Sequence, residues 1–329
     1  MKNKLFAFIA ILGLSAGCDT QEIGEITPIQ TQKGVDLSMT KVDIDISDFK
    51  KSKQNGISSR THEDLISMVQ QANLLLEPYG IELEKMEYLS ADNVGNTVFF
   101  NDRGNKQIGS DFLPNDPRNL GGETVPYIVD GTQAITASGF NVLSALESVR
   151  NTWENVTCSG GLSIPNAGVS NFDLGFISNV FFGYGGSAGY YPGVIVQAGV
   201  LPKGFFDLVD VDGGEFILGV TFTLTYTEDI NQDGVSEVAV KEVYYNDAFN
   251  WQDVVDTGSG YDFETVALHE TGHALSQAHF GKAFGTPKNG KIHFAPRALM
   301  NAGYSGVNRV VEGSDKAGHC SNWGNWPNR

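Results

Sequence analysis

The sequence predicts an α+β fold, because helix and strand patterns both occur along its 329 residues. Ile217–Tyr226 alternates apolar side chains with threonines, as expected of a strand with one face in a core. A second strand pattern over 235–245 follows after a turn, so the two segments predict a β-hairpin. Amphipathic helices are predicted over 61–76 and over 140–153, the second with Ser138 as its N-terminal cap.

Residues 1–17 have the features of a secretory targeting segment. Lys2 and Lys4 precede an apolar run that ends at Leu14 and is too short to span a bilayer. The letters L-S-A-G-C, which end at Cys18, resemble a bacterial lipobox, in which the cysteine is lipidated. We therefore expect an exported lipoprotein, attached to the cell envelope or cell surface through an N-terminal lipid anchor. A plain signal peptide and a secreted protein are the alternative.

The charge and the cysteines narrow the expected partners and compartment. The formal net charge of −17 argues against nucleic acid or an anionic membrane surface as a binding partner. Besides Cys18 the chain contains Cys158 and Cys320, and an exported protein is expected to pair them in a disulfide. Two buried free thiols are the alternative.

Two structured units are predicted downstream of the targeting segment. Residues 18–60 are polar and poor in aromatic side chains, which indicates a tether. A small α/β unit over 61–122 contains the first helix, opened by the capping box T-H-E-D at Thr61, and two strands. A larger unit over 123–329 begins with a short apolar strand and includes the hairpin.

The hairpin turn contains a partial calcium-loop pattern. In D-I-N-Q-D-G, Asp229, Asn231 and Asp233 occupy the first three side-chain positions of such a loop. The twelfth position is Val240 instead of glutamate, which excludes a full EF-hand. Ca²⁺ is therefore a candidate ligand of this turn, and an ordinary aspartate–glycine hairpin turn is the alternative.

The run H-E-T-G-H-A-L-S-Q-A-H, from His269 to His279, contains the strongest chemical signal in the chain. Asp262 is expected to cap a helix that carries the first two histidines. On that helix His269 and His273 differ by about 40° of rotation and about 6 Å of rise, so both imidazoles share one face. This spacing suits two nitrogen ligands of one Zn²⁺, and Glu270 is placed to act on a water at an open metal position.

His279 can reach the same metal only if the helix ends soon after His273. On an uninterrupted helix His279 would lie about 15 Å beyond His269 and point elsewhere. A backbone turn at or near Ser276 is therefore predicted, at a position that favours glycine.

These residues resemble the metzincin metalloproteases, whose pattern is H-E-x-x-H-x-x-G-x-x-H. Ser276 stands where that pattern has glycine. Downstream, A-L-M-N-A-G-Y from Ala298 is similar to the Met-turn of the family, in which a methionine, here Met300, forms an apolar floor beneath the zinc histidines. Within the family, D-F-E-T-V-A-L-H-E before the zinc pattern and Y-S-G-V after Met300 resemble the matrixins. The specific similarity covers residues 262 to 320.

The resemblance implies both a fold and an activity. The fold is a metzincin-like catalytic domain with a twisted mixed sheet, an antiparallel edge strand, an active-site helix and a Met-turn. The activity is that of a zinc-dependent endopeptidase acting on extracellular proteins or peptides. His269, His273 and His279 would hold Zn²⁺, and Glu270 would be the general base for a metal-activated water. An extended peptide would add to an exposed edge strand at 217–225.

The unit at 61–122 has two interpretations. It is a pro-segment that blocks the zinc until it is removed, or it is a permanent accessory unit. The cysteine switch of the matrixins has no counterpart, because this segment contains no cysteine. A carboxylate, with Asp111 and Asp116 as candidates, would then take the place of the thiolate on the zinc.

Other functions and other ligands are alternatives. The main competing function is a non-catalytic surface module that uses a metzincin fold for adhesion or binding, although such a module has no use for Glu270 beside a metal. A hydrolase of another bond is a second competitor. If His279 does not reach the metal, the substitute ligands are His293, Glu312, Asp315 and His319.

Overall fold

A mixed eight-stranded sheet with helices on both faces forms the framework of the protein. The structure is a computed structural model that describes residues 39–45, 62–100, 110–119, 122–253, 260–288 and 291–328. All of these belong to one unit of the chain, residues 33–329. The predicted targeting segment, the lipidation candidate Cys18, most of the predicted tether and the capping residue Thr61 lie outside the described residues.

Five α-helices and one π-helical segment occur in the described part of the chain. The helices are α1 (His62–Leu76), α2 (Leu143–Glu154), α3 (Lys203–Val209), α4 (Phe263–Ala274) and α5 (Gly313–Trp323), and the π-helical segment is Ser178–Phe182. Short 3₁₀ turns follow α1 at Glu77–Tyr79 and α3 at Gly213–Glu215. None of the described helices combines the length and the apolar character that a bilayer crossing requires.

The strands form one large sheet and three two-stranded sheets. In chain order they are β1 (Val42–Asp43), β2 (Ile81–Ser90), β3 (Thr97–Phe99), β4 (Ser110–Asp111), β5 (Tyr127–Asp130), β6 (Asn166–Ser170), β7 (Gly189–Tyr190), β8 (Val194–Leu201), β9 (Ile217–Tyr226), β10 (Ser236–Asn246), β11 (Trp251–Gln252), β12 (Tyr261–Asp262), β13 (Lys282–Gly285) and β14 (Ile292–Ala295). The small sheets pair β1 with β7, β11 with β12 and β13 with β14.

Strand direction divides the large sheet into two halves. In the order β3–β2–β9–β10–β8–β5–β6, the strands β10, β8, β5 and β6 run parallel, and the short β4 also pairs parallel with β10. β9 is antiparallel to both of its neighbours, and β3 is antiparallel to β2. The prediction of an α+β fold with a mixed sheet is confirmed.

The strand predicted at an exposed edge, 217–225, lies inside the sheet, so that prediction was wrong. β9 pairs with β10 on one side and with β2 on the other, from Ile81 opposite Tyr226 to Ser90 opposite Ile217. All ten residues of β9 are buried. Side-chain alternation shows which faces of a strand are covered, but it does not reveal the backbone neighbours.

Helix α2 begins later than the sequence pattern predicted, and Ser138 does not cap it. The Ser138 hydroxyl instead lies 2.9 Å from the hydroxyl of Thr136, which also accepts the backbone N–H of Phe140 (2.9 Å). Asn141 accepts the N–H of Leu143 with its side-chain oxygen (3.0 Å). These hydrogen bonds keep residues 136–141 in a turn ahead of the helix.

The two faces of the sheet contribute to different apolar cores. One core includes side chains of α2 and α4, and the buried Trp153 of α2 donates its indole N–H to the carbonyl of Leu268 on α4 (3.0 Å). The other core includes side chains of α1, α3 and the π-helical segment, with Phe181 and Phe222 among them. The face that meets α4 carries the candidate functional site.

A disulfide joins Cys158 and Cys320, whose Cα atoms lie 5.4 Å apart. The two cysteines are 162 residues apart in sequence, so the bond links the segment after α2 to α5. The pairing expected from the sequence is therefore present in the structure.

We expect replacement of both cysteines, Cys158→Ser with Cys320→Ser, to lower the free energy of unfolding by about 2–4 kcal/mol, because the crosslink restricts the unfolded chain. Urea unfolding of the variant and the wild type, with the reduced wild type as a control, measures the difference. Two free thiols in the mass spectrum of the purified, unreduced protein would contradict the pairing.

Candidate metal centre

Helix α4 starts at a well-defined cap. The carboxylate of Asp262 accepts hydrogen bonds from the backbone N–H (3.0 Å) and the hydroxyl (2.6 Å) of Thr265, as the sequence predicted for a capping aspartate. Arg309 donates a further hydrogen bond to this carboxylate from Nε (3.0 Å). Because its start is fixed, α4 presents His269 and His273 at set positions about two and three turns later.

Helix α4 ends directly after His273, and the chain reverses at Ser276, whose φ is +63°. The N–H of Ser276 donates to the carbonyl of His273, and the N–H of Gln277 donates to the carbonyl of Gly272, each at 2.9 Å. These bonds satisfy carbonyls that the last turn of a helix leaves free. The predicted helix end before His279 and the predicted turn at Ser276 are confirmed.

Helix α5 holds this turn in place. Trp323 donates its indole N–H to the carbonyl of Leu275, and Asn322 donates its side-chain amide to the carbonyl of Ser276, both at 3.0 Å. A non-glycine residue at positive φ costs about 1–2 kcal/mol, and these contacts offset that cost. No sequence signal connected α5 with the turn, because the interacting residues are 46 and 48 positions apart.

The turn brings His279 to the two helical histidines. His273 Nε2 lies 3.0 Å from His269 Nε2 and 3.1 Å from His279 Nε2. Within the described ranges this is the only group of three histidine, cysteine or acidic side chains whose ligand atoms lie close enough together to hold one metal ion. Two nitrogens on a tetrahedral zinc, with bonds of about 2.0–2.1 Å, lie about 3.4 Å apart. The observed spacing is close to that value.

The outer ring nitrogens set the tautomers of two of these histidines. His269 Nδ1 lies 2.7 Å from the carbonyl of Leu299, and His273 Nδ1 lies 2.7 Å from the carbonyl of Gln277. A carbonyl can only accept, so each Nδ1 carries the proton and each Nε2 presents a lone pair. Lone pairs that face each other at 3.0 Å repel unless a cation lies between them. The donor set therefore fits a metal ion.

Burial keeps the three imidazoles neutral. His269 is fully buried, and burial lowers its pKa to about 4. Burial, together with the neighbouring histidines, lowers the pKa values of His273 and His279 well below their usual value. Neutral imidazole is the form that binds metal, so the environment favours a metal ion over a proton near neutral pH.

Met300 packs against the histidine-bearing helix at Gly272. Its side chain is 1 % exposed, and a Cβ added at Gly272 would lie 2.4 Å from its sulfur. Glycine at this point of α4 therefore permits the close contact. Asp315 of α5 fixes the turn, because its carboxylate accepts the backbone N–H of Leu299 (2.7 Å) and of Met300 (3.0 Å).

Glu270 lies between α4 and the sheet with no exposed surface. Its Oε2 accepts the hydroxyl of Thr221 on β9 (2.7 Å), and its Oε1 accepts the N–H of Leu89 on β2 (3.2 Å). A Cβ added at Gly219 would lie 2.8 Å from Glu270 Cγ, so glycine lets β9 pass close to the carboxylate. Burial raises the pKa of Glu270 well above its usual value.

The other carboxylates and histidines considered as zinc ligands do not join the cluster. They are Asp111, Asp116, His293, Glu312, Asp315 and His319. Asp116 forms an ion pair with Arg118 (2.8 Å), and His319 Nε2 lies 2.9 Å from the hydroxyl of Ser159. The suggestion that Asp111 or Asp116 replaces a blocking thiolate was therefore wrong, since neither carboxylate lies at the histidines.

The candidate calcium loop is a hydrogen-bonded hairpin turn. Asp229 accepts the N–H of Gly234 (2.8 Å), Asn231 accepts that of Asp233 (3.0 Å), and Asp233 accepts that of Val235 (2.7 Å). The second carboxylate oxygen of Asp229 is buried without a hydrogen-bond partner among the described residues. Calcium binding at Asp229, Asn231 and Asp233 stays a prediction.

Sequence reasoning missed two side chains that lie near the Nδ1 atoms of the candidate zinc ligands. The hydroxyl of Thr97 lies 3.3 Å from His279 Nδ1, and Glu87 Oε1 lies 3.6 Å from His273 Nδ1. Glu87 also pairs with Lys85 at 2.9 Å. β2 has several charged side chains among its apolar ones, but nothing in the sequence identified histidines more than 180 residues away as the groups that Glu87 and Thr97 contact.

The site combines three neutral imidazoles with a buried carboxylate, Glu270, on the same helix and with Met300 packed against Gly272 of that helix. Comparisons of the chain with models of known protein families and with curated proteins find no match.

We expect Ser276→Gly to preserve zinc binding and to leave the free energy of unfolding unchanged or slightly raised, because glycine adopts positive φ without a Cβ clash. Ser276→Val, with a β-branched side chain at the same φ, is the matched control and should destabilise the protein. Urea unfolding compares the two variants.

His279→Ala should weaken zinc binding by more than the roughly 10–100-fold typical of a residue that merely orients a ligand. Competition with a chromophoric chelator measures it, and unchanged affinity would exclude His279 as a ligand.

The low pKa of His269 should make the metal-free protein less stable in mild acid. Between about pH 6.5 and pH 4 the imidazole is neutral in the folded state and protonated in the unfolded state, so stability falls as pH falls through this window. Glu270, with its raised pKa, contributes with the opposite sign, so the comparison is with His269→Gln. The free energy of unfolding of both proteins is measured in the presence of a chelator. The value for His269→Gln minus that for wild type should rise by about 2–3 kcal/mol as the pH falls from about 6.5 to about 4. A difference that does not change with pH would contradict the expectation.

Proposed function

We propose that this protein is a zinc-dependent endopeptidase of the metzincin type, similar in design to the matrixins, that hydrolyses peptide bonds of extracellular proteins or peptides. The observation that carries the proposal is the convergence of three neutral imidazole nitrogens, two of them on the helix that also carries the buried carboxylate of Glu270. His269, His273 and Glu270 come from one helix, and His279 comes from the chain that reverses after it.

The number of ligands supports a catalytic metal in preference to a structural one. A structural zinc site is closed by four protein ligands, whereas a catalytic site keeps one position open. The described residues supply three ligands, His269, His273 and His279. Zinc bound there would lower the pKa of a bound water and polarise the substrate carbonyl.

Glu270 is assigned to proton transfer. The Thr221 hydroxyl anchors Oε2 at 2.7 Å, while the contact of Oε1 with the N–H of Leu89 is longer, at 3.2 Å. We assign Oε1 as the atom that takes a proton from the attacking water and returns it to the leaving amine. The buried environment, which raises the pKa of Glu270, favours the protonated form that the second transfer requires.

Several features of the fold support the metzincin type. Parallel strands precede β9, which runs antiparallel to β10, and the helices α2 and α4 pack against each other in one core. The turn at Met300 follows α4 and lies against Gly272. Helix α5 then holds both the Met300 turn and the Ser276 turn.

A non-catalytic adhesion or binding module is the competing proposal. Burying a carboxylate is costly unless it is hydrogen-bonded, and a metal site used only for binding would gain nothing from it. Glu270 is nevertheless fully buried, with hydrogen bonds from both β9 and β2. A hydrolase of another bond would use the same residues, and peptide is preferred on the resemblance to the matrixins.

We further propose that the protein is exported and attached to the cell envelope or cell surface through lipidated Cys18, with secretion as the alternative. The Cys158–Cys320 disulfide supports an oxidising compartment. Its partners are then protein or peptide substrates and, through the anchor, the membrane. The net charge of −17 argues against nucleic acid. Ca²⁺ at Asp229, Asn231 and Asp233 is proposed as a second ion.

We expect Glu270→Ala to keep zinc and the fold while lowering peptidase activity by about 10²–10⁴-fold, the contribution typical of general acid–base catalysis. Glu264→Ala in the first turn of the same helix is the matched control and should stay within about threefold of wild type, because Glu264 pairs with Arg309 away from the histidines and Arg309 keeps its hydrogen bond to Asp262. Cleavage of a quenched peptide library, with and without chelator, is measured for the intact chain and for a chain cut at a protease site inserted between β3 and β4. Zinc loss from Glu270→Ala, or full activity, would show that the assignment is wrong.

A further inference from the structure

Resting on the proposed function, we infer that the chain blocks its own active site with β2, which occupies the position where an extended peptide substrate would lie. The block is made by backbone strand pairing and does not require a ligand on the zinc. Displacement of β2 from β9 is then the step that activates the enzyme.

The first support is the pairing of β2 with β9. The two strands are antiparallel from Ile81 opposite Tyr226 to Ser90 opposite Ile217. The opposite edge of β9 is paired with β10. A peptide can join a sheet only at a strand with a free edge. β9, the strand that passes the Glu270 carboxylate, offers no such edge while β2 is in place.

The second support is the contact of the same segment with the chain after Met300. Ser90 and Gly303 form a parallel bridge, and the Ser90 carbonyl accepts the N–H of Tyr304 (2.8 Å). A few residues later, the N–H of Gly95 donates to the carbonyl of Ala302 (2.5 Å). The segment therefore lies between β9 and the chain after Met300. It runs antiparallel to β9 and parallel to the chain at Gly303.

The third support is the state of Glu270. Its carboxylate has no exposed surface, and the N–H of Leu89 on β2 donates to Oε1. Any substrate whose reacting carbonyl approaches Glu270 must take the place of Leu89. The group assigned to proton transfer is thus covered by the strand itself.

The strand leaves the zinc-facing nitrogens free. Glu87 and Thr97 lie near the Nδ1 atoms of His273 and His279, at 3.6 and 3.3 Å, whereas the three Nε2 atoms face one another. The blocked chain can therefore bind zinc fully. This separates strand blockage from a switch in which a side chain of the blocking segment is a zinc ligand.

The blocking strand belongs to a continuous part of the chain. β2, β3 and α1 all lie within residues 62–100, and the side chain of Asn73 on α1 accepts the N–H of Leu83 (2.8 Å) and donates to its carbonyl (3.1 Å). The parallel strands, α4, the Met300 turn and α5 all follow β3 in sequence. A single cut between β3 and β4 therefore separates the blocking part from the zinc-binding part in the chain.

Two ways of opening the site test the inference. In the first, Gly95→Val places a Cβ 2.0 Å from the carbonyl oxygen of Tyr88 and 2.6 Å from that of Ala302, so the contact with Ala302 cannot persist. Gly285→Val, where no atom lies within 4 Å of the added Cβ, is the matched control. In the second, the full-length protein is cut at the protease site inserted between β3 and β4, which does not depend on how the Gly95 variant folds.

Access to the metal is measured independently of catalysis. Each form is loaded with Co²⁺ in place of zinc, and binding of a peptide hydroxamate is followed by visible absorption, alongside zinc-form cleavage of a quenched peptide library. We expect one metal per chain in every form. Hydroxamate affinity and kcat/KM should rise at least tenfold in the cut chain and in Gly95→Val, with no change in Gly285→Val. A synthetic peptide of residues 81–96 should compete with the hydroxamate in the cut chain.

Equal hydroxamate affinity in the intact and the cut chain would overturn the inference and would show that residues 62–100 are a permanent accessory unit. Tighter hydroxamate binding after opening, without peptide cleavage in any form, would support the block and would refute the proposed peptidase function alone.

Discussion

The reversal of the chain at Ser276 is the constraint on which the site depends. A single helix can direct His269 and His273 at one point, but a third histidine six residues further on would leave that face. The positive φ of Ser276 ends α4 and returns His279 to within 3.1 Å of His273. This conformation is unfavourable for serine, and the structure offsets it with backbone hydrogen bonds and with contacts from α5. Helix α5 also positions Met300, so one C-terminal helix supports both the turn that places His279 and the turn at Met300.

The face of the sheet beneath the site is unusually polar for a buried surface, and the strand side chains there are paired. Lys241 of β10 is fully buried and donates to the Thr223 hydroxyl (2.8 Å) and to the carbonyl of His273 (3.3 Å). Burial lowers the pKa of Lys241 to about 7. The ion pair of Lys85 and Glu87 lies two strands away, on β2. Buried charges are tolerated only when they are paired or hydrogen-bonded, so these groups tie α4 to β10 and favour one arrangement of the sheet against the helix.

Local spacing in the sequence was sufficient for the parts of the site that lie on one short stretch. The positions of His269 and His273, the cap at Asp262 and the turn at Ser276 are all encoded within residues 262 to 279, and the structure has each of them. The partners that orient these groups come from distant segments: Thr221 to Glu270, Leu299 to His269, and Asp315 to Met300. No periodicity in a single sequence identifies such pairs. The strands were predicted from alternation, but alternation gives the faces of a strand and leaves its neighbours undetermined. The edge position of β9 was taken from the resemblance to the matrixins, and no sequence pattern revealed its pairing with β2.

Without β2, one side of β9 would be unpaired, and this explains why a substrate-binding edge and a strand that covers it would occur together. An unpaired edge of ten residues would leave a row of backbone N–H and C=O groups without partners, and such an edge attracts any extended chain. That attraction is what a peptidase of this design would use to bind substrate. It would also make an unpaired edge a hazard, because such an edge can pair with other chains before a substrate is met. β2 satisfies the edge over its whole length, and in continuing to Ser90 it reaches Gly303 on the far wall. The backbone groups of β9 that would pair with a substrate therefore pair with a strand of the protein itself. The register of that pairing places the N–H of Leu89 where it donates to Glu270 Oε1.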